Sequence, residues 1–121
     1  RAMRGGPAFA WEPERGSRIG VLRRDAPITT MRWFEGDPCY VFHVLNAWEA
    51  PGSEGEAILA DVMQSAAAPL FPRADDPSAP PADSPARLHR WRFDLAAPSN
   101  SFTATPLDDL AGEFPRLDER F

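Results

Sequence analysis

Short apolar runs parted by proline, glycine and aspartate divide this chain into strand-length pieces. Residues 18–23 (RIGVLR) and 28–34 (ITTMRWF) read as two strands separated by Asp25-Ala26-Pro27, where proline cannot continue a ladder. These two form a predicted hairpin. Gly36-Asp37-Pro38 supplies the next turn, and residues 39–47 the next strand. From Cys39 to Leu45 the run is almost wholly apolar, which suits a strand buried on both faces, and a polar Asn46-Ala47-Trp48-Glu49 turn follows it. Further on, residues 87–95 alternate Leu88, Arg90, Arg92 and Asp94 with His89, Trp91, Phe93 and Leu95, the period of a half-buried antiparallel strand. Residues 101–107 offer one more strand after the Pro98-Ser99-Asn100 turn, leaving through Asp108-Asp109. Closely spaced strands of this kind are typical of sandwiches, barrels and propellers, so the predicted class is all-β with antiparallel strands.

Two segments resist that reading. Residues 56–68 (EAILADVMQSAAA) are rich in strong helix formers, and by propensity alone they predict a helix. Residues 69–86 (PLFPRADDPSAPPADSPA) are dominated by proline, aspartate and serine, a composition that buries too little apolar surface to order itself. They read as a long surface loop, with a domain linker as the alternative. The alternating strand at 87–95 favours a loop within one domain.

Composition narrows the function classes. With 121 residues, 43% hydrophobic and 26% charged, the chain has the make-up of one globular domain. Its net charge of −5 and its dispersed arginines argue against a nucleic-acid surface. The lone Cys39 excludes an intramolecular disulfide, fits a reducing cytoplasm, and reads as a small buried hydrophobe. No apolar run approaches the roughly 20 residues of a transmembrane helix, and the chain does not open on a charged-then-apolar signal segment.

The chemistry concentrates at His43. A lone histidine on an apolar strand is more often a packed, hydrogen-bonded core residue than a ligand. Nothing near it completes a local metal signature, so any metal site must be assembled from distant segments. Phe42, His43, Asn46, Ala47, Trp48 and Glu49, however, match the pattern Phe-His-x-x-Asn-Ala-Trp/Tyr-Glu, and Glu113-Phe114-Pro115-Arg116 resembles a Glu-Phe-Pro-Arg/Gln motif. Upstream, Gly5-Gly6-Pro7-Ala8 and the stretch Trp11–Val21 (WEPERGSRIGV) resemble bacterial proteins that carry both motifs. Together these features resemble the carotenoid cleavage oxygenases, a non-haem iron family that includes apocarotenoid and lignostilbene dioxygenases.

That resemblance carries a set of expectations. The fold would be one to two blades of a seven-bladed β-propeller, with residues 1–121 an internal fragment of the propeller domain and 69–86 a Pro-rich loop within it. Residues 56–68 would be a strand paired back onto the histidine strand, since tertiary pairing overrides propensity. In the family four histidines from four blades bind one Fe(II), and glutamates hold the far ring nitrogen of three of them. His43 matches one such ligand. Glu113 matches the glutamate that supports it, which predicts a contact across 70 residues. Phe42, beside the metal position, is the aromatic residue with a claim on the substrate tunnel.

The implied activity is oxidative cleavage of a conjugated C=C bond of a carotenoid, apocarotenoid or stilbene by Fe(II) and O2. The implied partners are a hydrophobic polyene or stilbene and O2, with peripheral membrane contact of the parent left open. The fragment alone is expected to be inactive, because one ligand cannot hold iron tightly. His89 matches no ligand motif and is left out of the site, and Glu49 has no assigned role beyond the turn. A stand-alone, non-enzymatic β-domain in which His43 is merely core is the competing reading.

Overall fold

The computed structural model describes residues 8–50, 56–118 and 120, and apart from two 3-10 turns its regular structure is β. Strands β1 (Ser17–Val21) and β2 (Arg32–Gly36) form an antiparallel hairpin in which Ile19 faces Phe34. Strands β3 (Tyr40–Ala50), β4 (Ala57–Ser65), β5 (Arg87–Asp94) and β6 (Thr103–Ala111) form a four-stranded antiparallel sheet in chain order. A four-stranded antiparallel sheet is the form of a propeller blade. Gly5, Gly6 and Pro7 of the upstream motif, and the connection at 51–55, lie outside the described residues.

Residues 56–68 illustrate a tertiary contest won by pairing. β4 lies between β3 and β5, so both of its edges are hydrogen-bonded, and Ala57, Ala60, Asp61, Val62, Met63 and Ser65 are buried. The helix formers of this segment are therefore strand residues, because both neighbours offer complete ladders.

Four local expectations are corrected. Residues 28–34 do not form one strand. Ile28–Thr30 is a 3-10 turn in which the amide and hydroxyl of Thr30 donate to the Pro27 carbonyl, and β2 starts only at Arg32. Asn46–Glu49 is not a turn but the second half of β3, which runs to Ala50 opposite Ala57. Nor is β3 buried on both faces: it is an edge strand of this sheet, with Phe42 and Val44 exposed. Finally, Asp108 and Asp109 do not end the last strand, because β6 continues to Ala111, opposite Arg87.

The core occupies one face of the sheet. Partners in an antiparallel ladder share a face, so Ala60 groups with Trp91, Val62 with Val44, and Ile58 with Phe93. Phe34, fully buried on the hairpin, meets Phe93 edge-on at 5.4 Å between ring centroids, and Phe102 completes the cluster. Phe102 packs so closely on Gly36 that a Cβ there would lie 2.5 Å from the ring. Arg32 ties hairpin and sheet together. Its guanidinium donates to the carbonyls of Leu95 (2.8 Å), Ala97 (2.7 Å) and Ser99 (2.8 Å) and to Asn100 Oδ1 (3.0 Å). Together these bonds hold the whole β5–β6 turn.

Residues 69–86 contain neither helix nor named strand, yet they are tied at several points. Trp11 exchanges backbone bonds with Pro72 and Ala74, Phe71 lies 5.5 Å from Phe9, and Ser84 Oγ accepts from Ala67 N. Cys39 packs against the core cluster, and its amide donates to Ser17 Oγ. Burial pushes its thiol pKa up, and the Ser17 hydroxyl only partly offsets this.

Two outcomes are expected. Replacing Phe34 by Ala empties the contact between hairpin and sheet and should destabilise the protein by about 3–5 kcal/mol, read as a lower urea midpoint. A raised pKa means less thiolate at any given pH, so the rate of Cys39 alkylation by iodoacetamide should have its pH midpoint above the free-cysteine value of about 8.5. A midpoint below it would contradict the packing described here.

Candidate metal centre

His43 lies on the face opposite the aromatic core. It is opposite Met63 on β4, and Met63 is opposite Leu88 on β5. The β3 register shifts between Val41 and His43 and again between Val44 and Asn46, so irregularities bracket the histidine on both sides. Such bulges re-aim side chains and are frequent next to active sites. At the second of them Asn46 Oδ1 accepts from the Ala47 amide at 2.9 Å.

Glu113 starts far away. In the order β3-β4-β5-β6, the first and last strands are three interstrand spacings apart, roughly 14 Å. Just past β6, Gly112 donates its amide to the Ala86 carbonyl at 3.0 Å, and a Cβ on Gly112 would lie 3.9 Å from Met63 Cε. The chain has thus turned back over the sheet face that carries His43. There Glu113 Oε2 lies 2.8 Å from His43 Nδ1, the contact expected across 70 residues. A carboxylate at Nδ1 favours the tautomer with hydrogen on that nitrogen, so the Nε2 lone pair is left for a ligand. The two side chains are 37% and 30% exposed, so the ring is neither sealed in a core nor loose in solvent.

Sequence reasoning missed a third member. The Phe114 ring lies 4.5 Å from the imidazole, centroid to centroid, inclined at 41°. Its signal was available, since it stands beside Glu113 in the same motif. His43, Leu45, Phe114, Pro115, Arg116 and Leu117 line an open pocket of about 380 Å³. Phe42 and Glu113 line a second one of about 440 Å³, walled by Pro81–Ala86 of the long loop.

Other candidates fall elsewhere. His89 is opposite Val62, on the core face, and its Nδ1 lies 3.0 Å from the Arg87 carbonyl. Glu49 lines a cleft with Val21, Leu22 and Arg23 of the hairpin rather than the histidine pocket. Trp48 lies under the Arg90 guanidinium at 5.0 Å, and Arg90 in turn grips the buried Asp61 through two bonds of 2.8 Å. Among the described residues no group of three or more His, Cys, Asp or Glu comes together in metal-binding geometry. What the described residues do bring together is one imidazole and one carboxylate, His43 and Glu113.

Residues 1–121 match the family model described as retinal pigment epithelial membrane protein. The chain belongs to this family. It is 41% identical over 116 residues to an isoeugenol monooxygenase of Pseudomonas putida, covering 95% of this chain and 23% of that protein. It is 38% identical over 111 residues to a carotenoid cleavage oxygenase of Mycobacterium tuberculosis, covering 92% and 21% respectively. The crystal structure of a Pseudomonas brassicacearum lignostilbene dioxygenase superposes with a TM-score of 0.80 and 32% identity, over 97% of this chain and 24% of that one. The chain thus spans less than a quarter of the length of the relatives it matches. Family membership agrees with the resemblance carried by the Phe-His and Glu-Phe-Pro-Arg motifs, and the all-β architecture is that of the dioxygenase over nearly all of this chain.

Proposed function

We propose that this chain is a section of the propeller domain of a non-haem Fe(II) oxygenase, with 69–86 a loop inside that domain. The substrate is a conjugated alkene of polyene or stilbene type, and O2 adds its two oxygen atoms across the C=C bond to give two carbonyl products. The observation that carries this reading is the 2.8 Å contact between His43 Nδ1 and Glu113 Oε2, which engages one ring nitrogen and leaves Nε2 as the one turned away from the carboxylate. Iron, when bound, supplies the site where O2 is held and activated next to the alkene.

This chain's own residues do the rest. His43 gives one ligand nitrogen. Glu113 holds the imidazole in one tautomer and contributes negative charge one shell away from a cationic metal. Phe42, 40% exposed and lining the same pocket as Glu113, offers an apolar wall to a conjugated substrate. The names of the relatives, an isoeugenol monooxygenase and a carotenoid cleavage oxygenase, support an alkene as the reacting group. No helix among the described residues is long and apolar enough to cross a membrane. The free thiol of Cys39 is in keeping with a reducing, cytoplasmic setting.

Both halves of the pair are testable in the full-length protein. His43→Ala should abolish iron occupancy, measured by metal analysis after Fe(II) reconstitution, and activity with it; full occupancy with normal turnover would remove His43 from the site. Glu113→Gln keeps the size of the side chain but loses its charge, and should weaken iron affinity about 10- to 100-fold. Unchanged affinity would make Glu113 an ordinary surface carboxylate.

A further inference from the structure

Phe114 adopts φ 55°, and it is the only non-glycine residue with positive φ among the described residues. The left-handed region costs an ordinary L-residue of order 1 kcal/mol or more, and the following Pro115 independently disfavours helical backbone at this position. Core burial does not offset that cost, because Phe114 is 75% exposed. Its ring contact is with the imidazole of His43.

The strain has a geometric consequence. In extended backbone, consecutive side chains point to opposite faces, so neighbours 113 and 114 could not both touch one ring on one face of the sheet. With the left-handed kink at Phe114 they do: Glu113 reaches Nδ1 at 2.8 Å and Phe114 lies against the same ring at 4.5 Å. A single hydrogen bond to Nδ1 fixes where that nitrogen sits but leaves the imidazole free to rock about the bond. A ring pressed against it removes this freedom, and the direction of Nε2 is then set by two contacts instead of one. We infer that Phe114 is a positioning residue that, through its strained backbone, clamps the His43 imidazole against Glu113 and so aims Nε2. This inference rests on the reading of His43 as a metal ligand.

Phe114→Gly separates strain from function, since glycine adopts positive φ at no steric cost but brings no ring. In the full-length protein, the metal-free Gly variant should melt at the same temperature as the parent or higher. Its Fe(II) affinity should fall about tenfold, as for other outer-shell changes. With Co(II) as a spectroscopic substitute, its ligand-field bands should broaden as Nε2 samples more directions. Phe114→Tyr keeps the ring and should restore both affinity and band shape. A Gly variant with parental Fe(II) affinity and Co(II) bands overturns the clamp; if His43→Ala has lost its iron in the same series, the ligand assignment stands alone. Iron retained at full occupancy in His43→Ala overturns both.

Discussion

The hydrogen bond between His43 and Glu113 is the constraint around which this chain is arranged. It joins the first strand of the four-stranded sheet to the segment after the last, so it forms only if three successive antiparallel pairings are correct. A slip of one residue in any ladder would turn the following side chains to the other face and break it. The pairing also requires the chain to cross back over the sheet after β6, which it does at Gly112, whose amide donates to the Ala86 carbonyl and where a Cβ would just touch Met63. Histidine, glutamate and the phenylalanine beside it thus form a local cluster built from non-local topology.

The two faces of the sheet divide the labour. One is filled by Phe34, Val62, Trp91, Phe93 and Phe102 and supplies the burial that holds the fold. The other carries polar and titratable groups: the partly exposed His43 with Glu113, and the buried Asp61 with Arg90, whose guanidinium lies over Trp48. Separating them leaves the histidine ring partly exposed while its strand is anchored through β4, whose two edges are both paired. The register irregularities on either side of His43 fit this arrangement, since a regular strand leaves less freedom to aim one side chain.

Much of this was legible in the residues. Alternation at 87–95 marked β5, with Trp91 and Phe93 turned to the core, and the breakers at 25–27 and 36–38 marked the hairpin and its exit. Failures arose where local chemistry and tertiary pairing part company. The polar Asn46-Ala47-Trp48-Glu49 stretch looked like a turn, but it faces the complete ladder of β4 and continues β3. Ile28-Thr29-Thr30 looked like strand because it is β-branched, but the Pro27 carbonyl captures the Thr30 amide and hydroxyl and tightens the backbone into a 3-10 turn. The pairing of His43 with Glu113 came from motif resemblance, since periodicity carries no information about contacts 70 residues apart. The kink at Phe114 was invisible because nothing in a Glu-Phe-Pro run announces positive φ.

The central claim is that His43 Nε2, held by the carboxylate behind it, faces an iron ion. An anomalous difference map recorded across the iron absorption edge, on crystals of the full-length protein, tests this most directly. The account predicts an iron peak within bonding distance of His43 Nε2, with Glu113 still at Nδ1 and no protein carboxylate on the metal from this chain. A peak remote from His43, or one bonded at Nδ1 with Glu113 displaced, would contradict it.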